Sequence, residues 1–320
     1  MSEAHRPVNR ERFEAAVVRR LGLDRVRVNV PLAPLTTFKV GGPADWLIDV
    51  RTVQEFTQLL AVARDLDVPV TVLGGGSNVL IGDRGIRGAV VRLRLTVIAE
   101  SSPGRVRADA GVTMNGLVRW TVAHGLGGVE SWAGTPGTVG GAICGNAHYG
   151  GRNIGDLVTD VGLVSREGRL VTAARGQMEF GYDTSRVKRT HEVVVWAEFA
   201  VSPAAPDALR QTARASLAHR KKTQPLETPS AGCIFQNPDP LHDRLPDGMP
   251  PSAGALVDRA GLKDCRVGGA RISPAHANFF VNDGAATARD IRALVDRARQ
   301  TVRERFGVEL RDEIVMLGEF

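Results

Sequence analysis

Gly74-Gly75-Gly76-Ser77-Asn78, directly after the apolar run Val68 to Leu73, is the stretch on which the reading of this chain turns. Consecutive glycines let a backbone approach a ligand closely and adopt positive φ. Successive N–H groups in such turns converge into a nest that favours an anion such as a pyrophosphate. Upstream lie the strand-like Ala44 to Val50 and the helical face Val53, Phe56, Leu59, Leu60 and Ala63; downstream, Gly88 to Leu93 reads as another strand. The loop therefore sits at the carboxyl end of a strand in a strand–helix–strand unit, where ligands bind in open α/β sheets. It is not a G-x-G-x-x-G loop, because Val79 stands at the third glycine position, and no Gly-Lys-Ser/Thr follows as in a Walker loop.

A second glycine stretch, Gly134-Thr135-Pro136-Gly137-Thr138-Val139-Gly140-Gly141, is followed by Asn146. Between the two loops, Arg105 to Ala110 reads as a strand, and Met114, Leu117, Val118, Thr121 and Val122 as a helix ending near Gly125. Beyond, Val158 to Ser165 and Arg169 to Thr172 flank the turn Arg166-Glu167-Gly168, and Glu192 to Val201 alternates like a strand. Phe13, Ala16, Val17 and Leu21 predict an opening amphipathic helix. Val201 to Pro206 reads as a linker, followed by helices over Asp207 to His219 and about Thr287 to Phe306.

With 320 residues, 43% of them apolar and 24% charged, the chain has the makings of two or three globular domains. The net charge of +6 suits a polyanionic ligand, but no basic run with interleaved aromatics points to nucleic acid. Met1 to Arg20 lacks the apolar segment of a secretion signal, and no stretch reaches membrane-spanning length. Cys144, Cys233 and Cys265 form neither a disulfide framework nor a metal-binding pair, so a reducing cytoplasm and no metal are expected.

Cys233 stands out from the other two cysteines. It lies in the polar, proline-bounded loop Pro229-Ser-Ala-Gly-Cys-Ile-Phe-Gln-Asn-Pro238, whereas structural thiols favour apolar surroundings. Residues 36–200 resemble the FAD-binding module of the vanillyl-alcohol-oxidase (PCMH) type, through the two glycine loops. Four further motifs extend the likeness: the Cys233 loop, Ser252-Ala-Gly-x-Leu-Val-Asp-x-Ala-Gly261, Val267-Gly-Gly-Ala-x-Ile-Ser-x-x-His-Ala-Asn278 and Phe306-Gly-Val-Glu-Leu-x-x-Glu313. With these, the chain from about residue 30 to 320 resembles the UDP-N-acetylenolpyruvoylglucosamine reductase family.

The resemblance implies an α+β fold: a two-lobed PCMH-type FAD-binding module followed by an α/β substrate-binding domain. The expected divisions are 1–30 (N-terminal helical segment), 31–95 and 96–203 (the two FAD lobes) and 207–320 (substrate domain), with the last strand packing back on the flavin module. It also implies NADPH-dependent reduction of UDP-N-acetylglucosamine enolpyruvate to UDP-N-acetylmuramate through non-covalent FAD, in a cytoplasmic monomer without nucleic-acid or membrane partners. FAD would be held by Gly74, Gly75, Gly76, Ser77, Asn78, Gly134, Thr135, Pro136, Gly137, Gly140, Gly141 and Asn146. Tyr182, Lys222, Asn237 and His276 would meet the sugar nucleotide.

Cys233 would be the proton donor and Glu313 its assistant. A free thiol titrates near about 8.5, so it holds its proton at neutral pH yet is a far better acid than an alcohol. Glu309, Arg311 and Glu313 would share one face of an extended strand, which without the resemblance reads as three solvated charges. The family commonly carries an arginine in a Tyr-Arg-x-Ser segment that here reads Tyr182-Asp183-Thr184-Ser185, so Arg186 is the candidate replacement. Asn146-Ala147-His148-Tyr149-Gly150 is one residue shorter than the family pattern, leaving His148 and Tyr149 without assigned roles. The alternatives are another FAD-dependent oxidase or dehydrogenase on the same module, or a non-catalytic flavin-binding protein.

Overall fold

The computed structural model describes residues 6–320, so residues 1–5 of the expected N-terminal segment lie outside the described residues. The chain divides into two compact units that are discontinuous in sequence. One holds the chain up to Val30, Ala44–Gly75 and Arg87–Leu217; the other holds Pro31–Pro43, Gly76–Ile86 and Ala218–Phe320. The first glycine stretch is thus one of the places where the chain passes from one unit to the other.

The first unit is built on two larger sheets. Strands Val26–Pro31, Pro43–Val50, Ile86–Leu93 and Val70–Val72 lie side by side in that order, the last pair parallel. The opening helix Arg6–Leu21 and the helix Val53–Asp65 bury Phe13, Val17, Leu21, Phe56 and Leu59 against this sheet. Thr52 starts the second helix by accepting the Glu55 N–H at 3.0 Å.

The second sheet is antiparallel throughout, in the order Leu170–Ala174, Val158–Val164, Val193–Ala200, Arg105–Asp109, Ile98–Ser102. Its strand Val193–Ala200 serves both cores. Val194, Ala197 and Phe199 face the cluster around helix Met114–Ala123, while Val195 and Trp196 face the first sheet. Two successive residues point the same way because the register slips there: Gly162 pairs with Trp196, but Leu163 pairs with Val194. The indole lies on Gly162, where a Cβ would stand only 2.0 Å from Trp196 Nε1. Val201 to Pro206 is tighter than the expected linker: Ser202–Pro203 pairs with Leu126–Gly127, and a helix follows directly from Pro206 to Thr223.

In the second unit, helix Ala288–Phe306 packs on a three-stranded sheet of Arg266–Val267, Ala270–Ile272 and Phe280–Asn282. Thr287 and Asp290 form a capping box at the helix start, and Gly307 at φ 70° ends it. Asp83, just past the first glycine stretch, accepts the N–H groups of Ala288 and Arg289 at 2.7 and 2.9 Å. The closing strand Val315–Leu317 pairs in parallel with Val79–Ile81. These long-range ties, together with Phe38, Val40 and Leu80 in the same apolar cluster, are why residues 31–43 and 76–86 group with the C-terminal third rather than with an N-terminal lobe.

Candidate active site

In the first unit the two glycine stretches lie against each other. A Cβ on Gly75 would stand 2.6 Å from Gly137 Cα, and one on Gly74 would stand 2.8 Å from Thr138 Oγ1. Backbone meets backbone there, and only glycine permits it. Gly74 and Gly75 are exposed, so the junction presents a surface free of side chains, which fits a cofactor that must approach main chain closely.

The second stretch offers fewer N–H groups than the sequence reading expects. Gly134 donates to Asn115 Oδ1 at 2.7 Å, Thr135 to the Trp132 carbonyl at 2.9 Å, and Gly140 to the Ala110 carbonyl at 2.9 Å. Gly141 donates to Thr138 Oγ1 at 3.4 Å, which caps helix Val139–Cys144. Gly140 is glycine for packing, since its Cβ would come within 3.0 Å of Ala110. Exposed Pro136 has no N–H to give.

Asn146 also departs from the expected cofactor contact. It is buried, with φ 47°, and its side chain is committed: Nδ2 donates to the Gly181 carbonyl at 2.8 Å and Oδ1 accepts the Gly155 N–H at 2.9 Å. Its amide therefore ties two loops together. His148 and Tyr149 form a short hairpin with Arg152 and Asn153. Tyr149 donates its hydroxyl to the Ser216 carbonyl at 3.1 Å, and the His148 ring lies 5.2 Å from that of half-exposed Tyr182.

Arg186, the candidate replacement for the absent arginine, is engaged with a neighbouring carboxylate. Its guanidinium grips Glu192 with two bonds, Nε to Oε2 at 2.8 Å and Nη2 to Oε1 at 2.7 Å. That pair raises the Arg186 pKa and holds the Glu192 carboxyl below the usual carboxylate range. Asp183, at the expected arginine position, is 5% exposed and has the Lys188 ammonium 3.6 Å from Oδ2.

In the second unit, three segments far apart in sequence converge on Cys233. Gly232 takes φ 83° ahead of the half-buried thiol. Ile234 donates its N–H to the Asn278 carbonyl at 2.9 Å and accepts the Glu313 N–H at 2.8 Å. Gln236 donates to the Arg311 carbonyl at 2.8 Å, and Phe235 bridges to Asp312. Asn78, last residue of the first glycine stretch, donates Nδ2 to the Glu313 carbonyl at 3.1 Å and accepts the Val315 N–H at 2.9 Å. Ser77 is half-buried beside it, and Gly76 packs its α-carbon on Leu35 and Thr36, where a Cβ would come within 2.1 Å of the Leu35 carbonyl oxygen.

Exposed Arg311 pairs with Asp243, and Asp312 pairs with Arg299 at 2.5 Å, whereas Glu309 is exposed and 4.0 Å from Arg303. Glu313 is half-buried and has the Cys233 segment on one side and Asn78 on the other.

Asn278 is the residue that sequence reasoning left without a role. Fully buried, it accepts the Phe235 N–H at 2.9 Å on Oδ1 and donates Nδ2 to the Phe235 carbonyl at 2.7 Å, an amide acting as a rung of sheet. An asparagine inside the apolar run Ala277 to Val281 is the signal that could have found it. Arg220, in the last turn of helix Pro206–Thr223, is a second: 6% exposed, it is a buried guanidinium in a helix of mostly exposed charges.

The expected sugar-nucleotide residues fare differently. Lys222 is exposed on that same last turn. Asn237 spends Oδ1 on the N–H of Ala253 at 3.0 Å, at the start of helix Ala253–Arg259. His276 closes its own turn, accepting the Asn278 N–H on Nδ1 at 3.2 Å, and burial pushes its pKa below the usual value.

Comparison with known proteins agrees with both units. Residues 44–174 match the family described as FAD binding domain, and residues 224–317 match UDP-N-acetylenolpyruvoylglucosamine reductase, C-terminal domain. UDP-N-acetylenolpyruvoylglucosamine reductase 2 of Symbiobacterium thermophilum is 38% identical over 92% of this chain and 92% of its own length. The Protochlamydia amoebophila reductase is 36% identical over 91% and 93%. The crystal structure of the Thermus caldophilus reductase superposes with a TM-score of 0.75 at 32% identity, covering 91% of this chain and 99% of that one. The α+β fold with an FAD-binding module, and relatives matched along nearly their whole length, place this chain in the UDP-N-acetylenolpyruvoylglucosamine reductase family.

Proposed function

We propose that this protein reduces UDP-N-acetylglucosamine enolpyruvate to UDP-N-acetylmuramate with NADPH, that Cys233 gives the proton and that Glu313 assists. As a member of its family the chain is an FAD-dependent oxidoreductase of peptidoglycan precursor synthesis. No described helix is long and apolar enough to cross a membrane, and we take the enzyme to work as a cytoplasmic monomer.

The chemistry FAD would supply when bound is hydride transfer from NADPH to the enol-ether carbon distal to the substrate carboxylate. The backbone surface shared by Gly74, Gly75 and Gly137 is what would hold its pyrophosphate, with Asn78 and Ser77 continuing the same loop. Negative charge then builds on the carbon next to the carboxylate, and a proton must arrive there. Cys233 supplies it as a general acid, leaving a thiolate that takes a proton back before the next turnover. Glu313, on the neighbouring segment, orients the reacting group or relays that proton.

The observation that carries this reading is the pairing of Glu313 with Ile234 at 2.8 Å, with Asn78 fastened to the same glutamate. It joins the proposed acid, the proposed assistant and the end of the first glycine loop in one small network. Anaerobic stopped-flow mixing of NADPH-reduced protein with the enolpyruvyl sugar nucleotide tests it. Rapid return of oxidised flavin absorbance is expected; persistence of reduced flavin would reject the substrate assignment.

A further inference from the structure

We infer that Asp243 is a positioning residue for the substrate half of the reaction, acting through Arg311 on the extended segment that carries Glu313. The inference rests on the roles proposed above for Cys233 and Glu313. Along residues 308–314 burial alternates: Val308, Leu310 and Ile314 enter the apolar cluster, while Glu309, Arg311 and Glu313 lie on the other side. Arg311 and Glu313 therefore share a face, about 6.5 Å apart along the chain.

Arg311 is held at both ends. Its carbonyl accepts the N–H of Gln236, a residue of the Cys233 loop, at 2.8 Å. Its guanidinium meets Asp243 at two points, Nη1 to Oδ1 at 3.0 Å and Nη2 to Oδ2 at 2.6 Å. A planar fork on a carboxylate fixes orientation as well as distance. On the opposite face Arg299, from helix Ala288–Phe306, donates to Asp312 Oδ1 at 2.5 Å and to the Leu310 carbonyl at 3.4 Å. Consecutive residues are thus pinned to opposite sides, which resists twisting of the chain just before Glu313.

Asp243 is a fixed anchor and not a loose surface charge. Its side chain is 16% exposed, against 48% for Arg311. Oδ2 also accepts the Asp239 N–H at 2.6 Å, and the Asp243 N–H donates to the Asp239 carbonyl at 2.7 Å, closing residues 239–243 into one turn. Farther along the same loop, Arg259 Nη1 donates to the Gly248 carbonyl at 2.9 Å. The loop that leaves the Cys233 segment is therefore tied down, and through Asp243 it reaches back to the chain paired with that segment. The Arg311 guanidinium holds the Asp243 carboxyl below the usual carboxylate range, which keeps the pair ionised at neutral pH. An exposed ion pair adds little to stability, yet a misplacement of about 1 Å can cost on the order of 10²-fold in rate. That contrast separates positioning from folding.

The test is a double-mutant cycle on the FAD-loaded enzyme: Asp243→Asn, Arg311→Met and the two combined, with Arg311→Lys as the conservative variant. Tm, FAD content, kcat and KM for the enolpyruvyl sugar nucleotide, and the rate of flavin reoxidation by it are measured. Each single variant should slow reoxidation and lower kcat roughly tenfold, with Tm, FAD content and KM near wild type. The combined variant should be no slower than the slower single one, because both substitutions remove the same contact. Arg311→Lys should recover part of the rate. A wild-type rate in either single variant would overturn the inference. So would multiplying losses in the combined variant, which mark independent roles, or a raised KM at unchanged kcat in Arg311→Met, which marks a direct substrate contact. A fall in Tm and FAD content that matches the fall in rate would overturn it too, as a folding role. Failure of the substrate to reoxidise reduced wild-type flavin would instead reject the substrate assignment itself.

Discussion

The backbone N–H of Glu313 lies 2.8 Å from the carbonyl oxygen of Ile234, so the residue after Cys233 is paired with the residue proposed to assist it. The pairing continues through Phe235 with Asp312 and Gln236 with Arg311, and Asn278 closes the other side of Ile234 and Phe235. Cys233 is thereby set by backbone hydrogen bonds on two flanks. A thiol held this way can be altered without loosening the segment that carries it.

Cys233→Ala should therefore leave FAD content and NADPH-driven flavin reduction near wild type. Reoxidation by the enolpyruvyl substrate should slow by about 10²–10⁴-fold, the usual value of a positioned general acid. Cys233→Ser should retain measurable turnover. Separate stopped-flow measurement of the two half-reactions checks this; equal loss in both would contradict the proton-donor role.

Asn278 predicts a different pattern. Asn278→Leu removes both bonds to Phe235 and leaves a buried N–H and carbonyl unmatched, costing about 2–4 kcal/mol. Denaturant unfolding should show that loss, and the substrate half-reaction should slow because the Cys233 segment loses one flank. Flavin reduction by NADPH should be much less affected. A variant as stable as wild type would show that the two bonds contribute little.

Much of the first unit was legible because its elements announce themselves locally. Val53 to Ala63 shows a helical face, Val158 to Thr172 a hairpin with Gly168 at positive φ, and the two glycine stretches mark where backbone must approach backbone. What stayed hidden depends on long-range partners. The parallel pairing of Val79–Ile81 with Val315–Leu317 is three residues long, too short for any periodicity, yet it draws residues 76–86 into the C-terminal unit. Asn146 and Arg186 looked available to a ligand because nothing near them in sequence shows that Gly155, Gly181 and Glu192 already claim them. Motif order singles out Cys233 and Glu313 as candidates, but only the fold shows that Asn78 and Asn278 hold the segments on which they stand.

The Arg186–Glu192 pair carries a pH signature. Because Arg186 holds the Glu192 carboxyl below its ordinary range, the pair's stabilisation is fully present above the unfolded carboxylate pKa. It is lost as pH falls through the lower folded value. Arg186→Ala should cost roughly 1–2 kcal/mol at neutral pH and leave turnover within about twofold of wild type. The gap in Tm between wild type and variant should close on acidification below about pH 4. A turnover loss of a hundredfold with little change in Tm would return Arg186 to the reacting centre.

Gly75 offers the sharpest test of the cofactor surface. Its Cβ would fall 2.6 Å from Gly137 Cα, a backbone atom that cannot rotate away, so Gly75→Ala must push the two glycine stretches apart. Gly232 is the matched control: it too is a loop glycine, but a Cβ there meets nothing within 4 Å, leaving only the strain of φ 83°, about 1 kcal/mol. Both variants should fold, since neither glycine stands in a core cluster. Gly75→Ala should purify with little FAD or lose it on dilution, and its weakened affinity should appear in titration of the apoprotein with FAD. Gly232→Ala should hold FAD as wild type does while slowing the substrate half-reaction, because the strain falls next to Cys233. Equal FAD affinity in Gly75→Ala and wild type would mean that the junction of the two stretches is a packing contact and the cofactor is held elsewhere.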